Sequence, residues 1–289
     1  MTRPDPGPFT AQISAQIYAQ ISGQIPADDP ATGPRLTAHA LGLSYAGKPV
    51  CRDITLEVPE GRVSVILGPN GCGKSTLLRG LCNLLPAQSG QVLLDGRNIA
   101  RMPARALACQ VGLLPQSAQA PAGITVGDLV ARGRYPHQGP FRQWSERDER
   151  IVAEAMAATG IADLAGRDVD ALSGGQRQRV WIALVLAQET PILLLDEPTT
   201  YLDIAHQLDL LRLLQRLNRE RGRTIVAVLH DLNQACRYAD HLIVMAEGAL
   251  VAEGTPRDLM TPELLRRVFG LDALILDDPV SHTPLIVAR

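Results

Sequence analysis

An α/β fold with a largely parallel central sheet is predicted by three features of the 289-residue sequence. Short strand-like apolar runs alternate with segments of helical period along most of the chain, as strand-helix-strand crossovers require. One of these runs, Val63 to Leu67, enters a glycine-rich loop and then the helix-like TLLRGLCNLL. The long stretch between Thr125 and Leu186 has helical period and loops without a strand, which predicts a helical insert.

Taken in order, residues 1–35 stand apart. AQISAQIYAQISGQI repeats a four-residue unit between prolines, and a helix there would stack Ile13, Ile17, Ile21 and Ile25 along a drifting stripe. Gly23 and the flanking prolines weaken so short a helix, so the segment reads as a mobile tail. Strands are expected at Leu36 to Tyr45, Val50 to Val58, Val63 to Leu67, Gln91 to Asp95 and Val111 to Leu114. The insert follows, at about 117–186, and then strands at Ile192 to Asp196, Thr224 to His230, Leu242 to Ala246 and Leu250 to Glu253. A nucleotide-binding domain would thus span 36–260, and a C-terminal extension, 261–289, adds a short helix at PELLRRVFG and two strands.

Composition narrows the class. An apolar fraction of 46% is ample for a core, and 28 basic residues against 30 acidic ones argue against a nucleic-acid partner. Five cysteines without a C-x-x-C pair read as reduced thiols of a cytosolic chain. MTRPDPGPF lacks a signal-peptide core, and the longest apolar run, Val180 to Ala187, falls far short of the ~20 residues that span a bilayer. Any role at a membrane is therefore expected from outside the lipid.

GPNGCGKS, Gly68 to Ser75, fits G-x-x-x-x-G-K-[ST] between a strand and a helix, the context that identifies a P-loop. In Gly68, Pro69, Asn70, Gly71, Cys72 and Gly73 the glycines let backbone N–H groups curl around phosphate, and the helix from Lys74, Ser75 and Thr76 presents its positive end. Lys74 is placed for the β and γ phosphates of ATP, an attraction of about 4 kcal/mol at an effective dielectric near 20. Ser75 is placed for Mg2+. Cys72 beside Lys74 and a helix start has surroundings that lower a thiol pKa; as a small spacer, once alkylated it would block nucleotide binding, and ATP would protect it.

ILLLDEP ends a buried strand in two carboxylates, Asp196 for the magnesium and Glu197 for the water that attacks the γ-phosphate. His230 closes TIVAVL at the same strand edge, either as a third catalytic group or as a structural histidine. Gln116, after VGLLP, is either a ligand of the metal or attacking water, or solvated. Tyr45 either stacks on adenine or packs.

LSGGQRQRVWIALVLAQE reads as a helix capped by Ser173 with Gln176 as its reciprocal partner. Gly174 and Gly175 occupy its first turn, where each costs roughly 1 kcal/mol relative to alanine. Something must approach that turn closely.

With LSGGQ some hundred residues beyond the P-loop, the order of motifs resembles the ATP-binding subunits of ABC transporters, over about Leu36 to Leu259. The resemblance implies a P-loop core, an antiparallel β subdomain near the N-terminus and a helical insert subdomain. It also implies that Ser173, Gly174, Gly175 and Gln176 of one copy cap the γ-phosphate held by a second copy, closing a dimer on ATP. Asp203, in TTYLD, would belong to the loop crossing that interface, and is equally placed to cap the helix that follows.

ARGRYPHQG, DEPTTYLDIAHQ and LHDLNQACRYADH are similar to ATPases of bacterial iron(III)-siderophore importers, with haem, cobalamin and metal-ion importers as rivals. That likeness implies permease subunits, an extracytoplasmic substrate-binding protein and a station on the cytoplasmic face of the membrane. RGRYPHQGPFRQW, with Tyr135, Phe141 and Trp144, is either the permease-docking surface or a solvated loop. Nothing in the chain is shaped to hold a siderophore. A soluble ABC protein acting on ribosomes or DNA is the other class, but one cassette without coiled-coil heptads argues against it.

Overall fold

The computed structural model describes residues 35–45, 47–139 and 144–289. The isoleucine repeat and Phe141 lie outside the described residues.

Strands β1 (Leu36–Tyr45) and β2 (Lys48–Val58) pair antiparallel, and β1 also pairs with β4 (Ser89–Leu94), which pairs with β5 (Arg97–Asn98). Behind this antiparallel sheet stands the main one, in the order β10-β9-β3-β8-β7-β6. Its strands are β3 (Val63–Leu67), β6 (Val111–Leu114), β7 (Ile192–Asp196), β8 (Thr224–Val228), β9 (His241–Ala246) and β10 (Ala249–Gly254). All pairings in it are parallel except β9 with β10. Both faces are covered, so β3, β7 and β8 are buried at every position and read as continuous apolar runs rather than alternating ones.

Helix α1 (Lys74–Leu81) fills the space between the two sheets with Leu77, Leu78 and Leu81, packed with Leu43, Ile54, Ile66 and Val226. A second core lies on the other face of the main sheet. It joins helices α3 (Val126–Ala131), α4 (Glu146–Ala158) and α5 (Gly174–Ala187) with α6 (Ile204–Arg221), which runs between β7 and β8. The short α2 (Ala104–Ala108) precedes β6, and α7 (Leu232–Tyr238) follows β8. The two-stranded hairpin β11 (Ala273–Asp277) and β12 (Pro284–Ala288) ends the chain.

Two strand ends differ from the sequence reading for local reasons. The strand expected to reach His230 stops at Val228, because Asp231 caps α7 and the chain must turn between them. The one expected through Asp95 stops at Leu94, because Asp95 and Gly96 take φ of 50° and 74° and form the two-residue turn into β5. Glu247 and Gly248, with φ of 50° and 79°, do the same between β9 and β10.

Parallel register brings one set of strand ends together. Leu114 pairs with Leu195, Asp196 with Val228, and Ile66 with Val228. The segments leaving β3, β6, β7 and β8 therefore emerge at one carboxyl edge, where open α/β sheets bind ligands.

Candidate active site

The loop from Gly68 to Gly73 leaves β3 and enters α1. At Gly68 an added Cβ would lie 2.2 Å from the Met245 carbonyl oxygen, and Gly73, with φ of 107°, holds the left-handed conformation that starts the helix. Pro69 is half-buried and Asn70 and Gly71 are exposed at the tip. Lys74 is 6% exposed, and its ammonium donates to the carbonyls of Gly68 at 2.8 Å and Pro69 at 2.9 Å. That places two of its three N–H bonds across the loop and the charge at its mouth. Thr76 sits half-buried in the first turn of α1.

Cys72 departs from the sequence reading. Burial pushes its thiol above the ordinary value, and the opposing pull of Lys74 and the local backbone does not reverse this. A helix start and a lysine lower a thiol pKa only where water still reaches the sulfur, and Cys72 is buried.

Ser75 Oγ donates to Asp196 Oδ1 at 2.9 Å, joining α1 to the end of β7. Burial pushes the Asp196 carboxyl up; the Ser75 bond pulls it down, and the neighbouring Glu197 charge pushes it up again. Such a buried carboxylate gains from an adjacent cation. With the Ser75 hydroxyl and the Gln116 amide it offers hard oxygen donors in a small number, which fits Mg2+ held largely by phosphate and water.

Glu197 follows directly, in the left-handed region at φ 52°. Its Oε1 lies 2.8 Å from His230 Nε2, and Thr200 Oγ1 donates to its Oε2 at 3.3 Å. The Gln116 side chain also faces Glu197 and its backbone N–H faces Asp196, each favouring the ionised carboxylate. Burial raises the Glu197 carboxyl, but the bonds from His230, Gln116 and Thr200 outweigh it and hold the group below the usual carboxylate range. Asp196, Glu197, His230 and Gln116 thus stand together with the loop of Lys74.

The turn at Ser173 lies elsewhere. Ser173 Oγ accepts from the Gln176 N–H at 3.3 Å, and Gln176 Oε1 accepts from the Ser173 N–H at 3.1 Å, a complete capping box. Gly174 and Gly175 have unforced backbones, and a Cβ would meet nothing nearer than 3.7 Å at Gly174 and 3.3 Å at Gly175. The chain's own packing thus leaves the glycine at 174 unexplained. Among the described residues, no hydrogen bond joins Ser173 to Gln176 with Gly68 to Thr76. Asp203 caps α6 through the His206 N–H at 2.9 Å and also faces the His206 ring. Tyr45 leaves an exposed ring at the β1–β2 turn, and β2 reaches the P-loop where Cys51 Sγ meets the Gly73 carbonyl.

Sequence reasoning missed Thr200 and Gln178. Gln178 is buried and donates to the Pro198 carbonyl at 3.1 Å, tying α5 to the segment after Glu197. Their only signal was proximity to the motifs.

A P-loop, a strand-end Asp-Glu pair with its histidine and a separate glycine-opened helix end define an ATPase cassette. The chain belongs to the ABC transporter family, whose description matches residues 51–200. It is 57% identical over 253 residues to the ferric enterobactin transport ATP-binding protein FepC of Escherichia coli (strain K12), covering 88% of this chain and 93% of that protein. With the iron(3+)-hydroxamate import ATP-binding protein FhuC of Bacillus subtilis (strain 168) it shares 46% over 250 residues, 86% of this chain and 93% of that one. Among solved structures, cbiO1 from Clostridium perfringens, part of the ABC transporter complex cbiONQ, superposes with a TM-score of 0.69 at 30% identity, over 81% of this chain and 94% of that one. The dimeric post-hydrolysis state of the cassette MJ0796 bound to ADP and Pi gives 0.69 at 28%, over 77% and 99%. This chain is accordingly an ABC ATPase. Among the described residues, no helix is long and apolar enough to cross a membrane.

Proposed function

We propose that this chain is the ATP-hydrolysing subunit of an importer of iron(III)-siderophore complexes, working from the cytoplasmic face of the membrane. The observation that carries the hydrolytic reading is the Glu197–His230 pair at 2.8 Å. It stands at the strand edge that also presents Ser75 and Asp196. The cargo follows the relatives, whose names specify ferric enterobactin and iron(3+)-hydroxamate.

Gly68 to Thr76 would cradle the ATP phosphates, with Lys74 at the β and γ positions, and Tyr45 would offer its open ring to adenine. Ser75, Asp196 and Gln116 would hold Mg2+, which when bound neutralises charge on the phosphates. Glu197, kept ionised by its hydrogen bonds, accepts a proton from the water whose oxygen attacks the γ-phosphorus as ADP departs. His230 fixes the Glu197 carboxylate, and Gln116 orients the same water. Catalysis of this kind is mostly placement.

Ser173 to Gln176 of a second copy would complete the site, which explains the glycine at 174 that this chain's own packing does not require. Asp203 would lie at that junction while still capping α6. Because a ligand shifts an equilibrium only through differential affinity, ATP favours the closed dimer in which it gains these contacts. Permease subunits would dock on the helical insert, where Tyr135 and Trp144 are exposed. Arg134 of the same run points inward instead, bonded to Asp148 at 2.8 Å and to the Ala187 carbonyl at 2.8 Å. An extracytoplasmic binding protein would deliver the cargo.

Radiolabelled uptake in a strain lacking this chain tests the cargo. Loss of ferric-siderophore uptake, restored by the wild type and not by Glu197→Gln, is the expected result. Intact ferric-siderophore uptake with loss of haem or cobalamin uptake would overturn it.

A further inference from the structure

Helix α7 starts from its N-cap Asp231, one residue after His230, so whatever fixes α7 also fixes the backbone from which the His230 ring reaches Glu197. Seven residues are too few for a helix to hold itself. Its placement depends on tertiary anchors, and these lie on two faces.

On the first face, Asn233 Oδ1 accepts from the Ile286 N–H at 2.7 Å, and Asn233 Nδ2 donates to the Ile286 carbonyl at 3.2 Å. The side-chain amide therefore engages β12 at both of one residue's backbone groups. One turn on, Arg237 forms an ion pair with Asp278. Asp278 is 5% exposed, and its Oδ1 also accepts from the N–H groups of Val280 and Ser281 in the turn between β11 and β12.

On the second face, Gln234 Nε2 donates to Gln207 Oε1 at 3.0 Å. Gln207 Nε2 in turn donates to the carbonyls of Leu202 at 2.9 Å and Thr199 at 3.3 Å. That loop carries Thr200, whose hydroxyl reaches Glu197. Glu197 and His230 are thus joined directly and again through a circuit of side-chain amides, and the C-terminal hairpin is fastened to that circuit.

We infer that the β11–β12 hairpin is a positioning element for ATP hydrolysis, which through Asn233 and Arg237 holds α7 so that His230 stays against Glu197. Asn233, Arg237, Gln207 and Gln234 are positioning residues. A hairpin needed only for stability would be expected to rest on α7 through apolar contact alone. Here a two-point amide clamp and an ion pair whose carboxylate is buried and whose guanidinium is half-buried fix rotation as well as distance. The inference rests on the hydrolytic reading of Glu197 and His230.

The test uses the full chain and three measurements: kcat, ATP affinity and the ring 15N shifts of His230. Asn233→Ala is expected to lower kcat on the order of tenfold, as misplacement of a reacting group does, and to leave ATP affinity within about twofold. It should move the His230 ring shifts, and it should add nothing in a His230→Ala background. Should Asn233→Ala fail to fold, Asp278→Asn replaces it, keeping a carbonyl for Val280 and Ser281 while losing the acceptor for Arg237. Unchanged kcat with unmoved ring shifts, or the same loss with and without His230, would overturn the inference. Glu197→Gln serves as the control: if it hydrolyses ATP at the wild-type rate, the site reading itself fails; if it is inactive while Asn233→Ala is silent, only the hairpin's role fails.

Discussion

A non-glycine residue at φ 52° persists only where its surroundings fix it, and Glu197 is fixed by His230, Thr200 and Gln116. Glu197→Gln keeps the size and one hydrogen-bonding oxygen but removes the proposed base. It should bind ATP normally and hydrolyse it about 10² to 10⁴ times more slowly, as a phosphate-release assay beside equilibrium ATP binding will show. The Glu197 carboxyl is held below the ordinary range, so the acid limb of the rate profile should lie below that range too. Removing His230 takes away a lowering contribution, and the limb of His230→Ala should move to higher pH; a limb that stays in place would show that the imidazole does not act on Glu197. Cys72 is a spacer with a buried, raised thiol, and alkylation at neutral pH should be slow even without nucleotide. Lys74, Ser75, Asp196 and Glu197 were legible because each belongs to a motif of fixed spacing. His230 was legible only as a strand end. Its contact with Glu197 depends on the Asp196–Val228 register, which spacing along the chain does not contain.

Elements show where local sequence was enough and where it was not. The Ser173 capping box was readable from one tetrapeptide, since both of its bonds are local. Ser173→Ala should cost about 1 kcal/mol of stability as a lost cap. A fall in ATPase activity much larger than the small drop in melting temperature would separate phosphate contact from capping. Arg134 could not be read this way: in RGRYPHQG it resembles surface charge, yet it is 1% exposed and joins α4 to the end of α5. Its partners, Asp148, Ala187 and Glu189, lie 14, 53 and 55 residues away. Asp148→Ala would leave that guanidinium with only the Ala187 carbonyl and the Glu189 carboxylate at 3.0 Å, and should destabilise the protein by about 1.5 to 3 kcal/mol. Burial pushes the Asp148 carboxyl up, and bonds from Ser145 and Arg134 bring it below the ordinary value. A depressed folded-state pKa contributes stability above the unfolded value of about 3.9 and loses it as pH falls further. The gap between wild type and Asp148→Ala should therefore narrow below about pH 4, as urea titrations at several pH values will reveal.

At the scale of the whole molecule, one chain presents a phosphate cradle in one place and a glycine-opened helix end in another. The helix end lacks a lysine of its own and should bind phosphate weakly unless another copy presents it, so under the proposed function nucleotide would link two subunits. The parallel sheet explains why the cradle, the carboxylates and the histidine share an edge, and alternation along the sequence was sufficient to foresee that sheet. The proposed association between copies would leave no periodic trace in a sequence; the sign that pointed to it was the pair of glycines at 174 and 175. The most direct test is the sedimentation of Glu197→Gln with Mg-ATP and with ADP. A dimer formed with Mg-ATP and absent with ADP is the expected result; a variant saturated with Mg-ATP that remains monomeric, alone and beside its permease, would contradict the account.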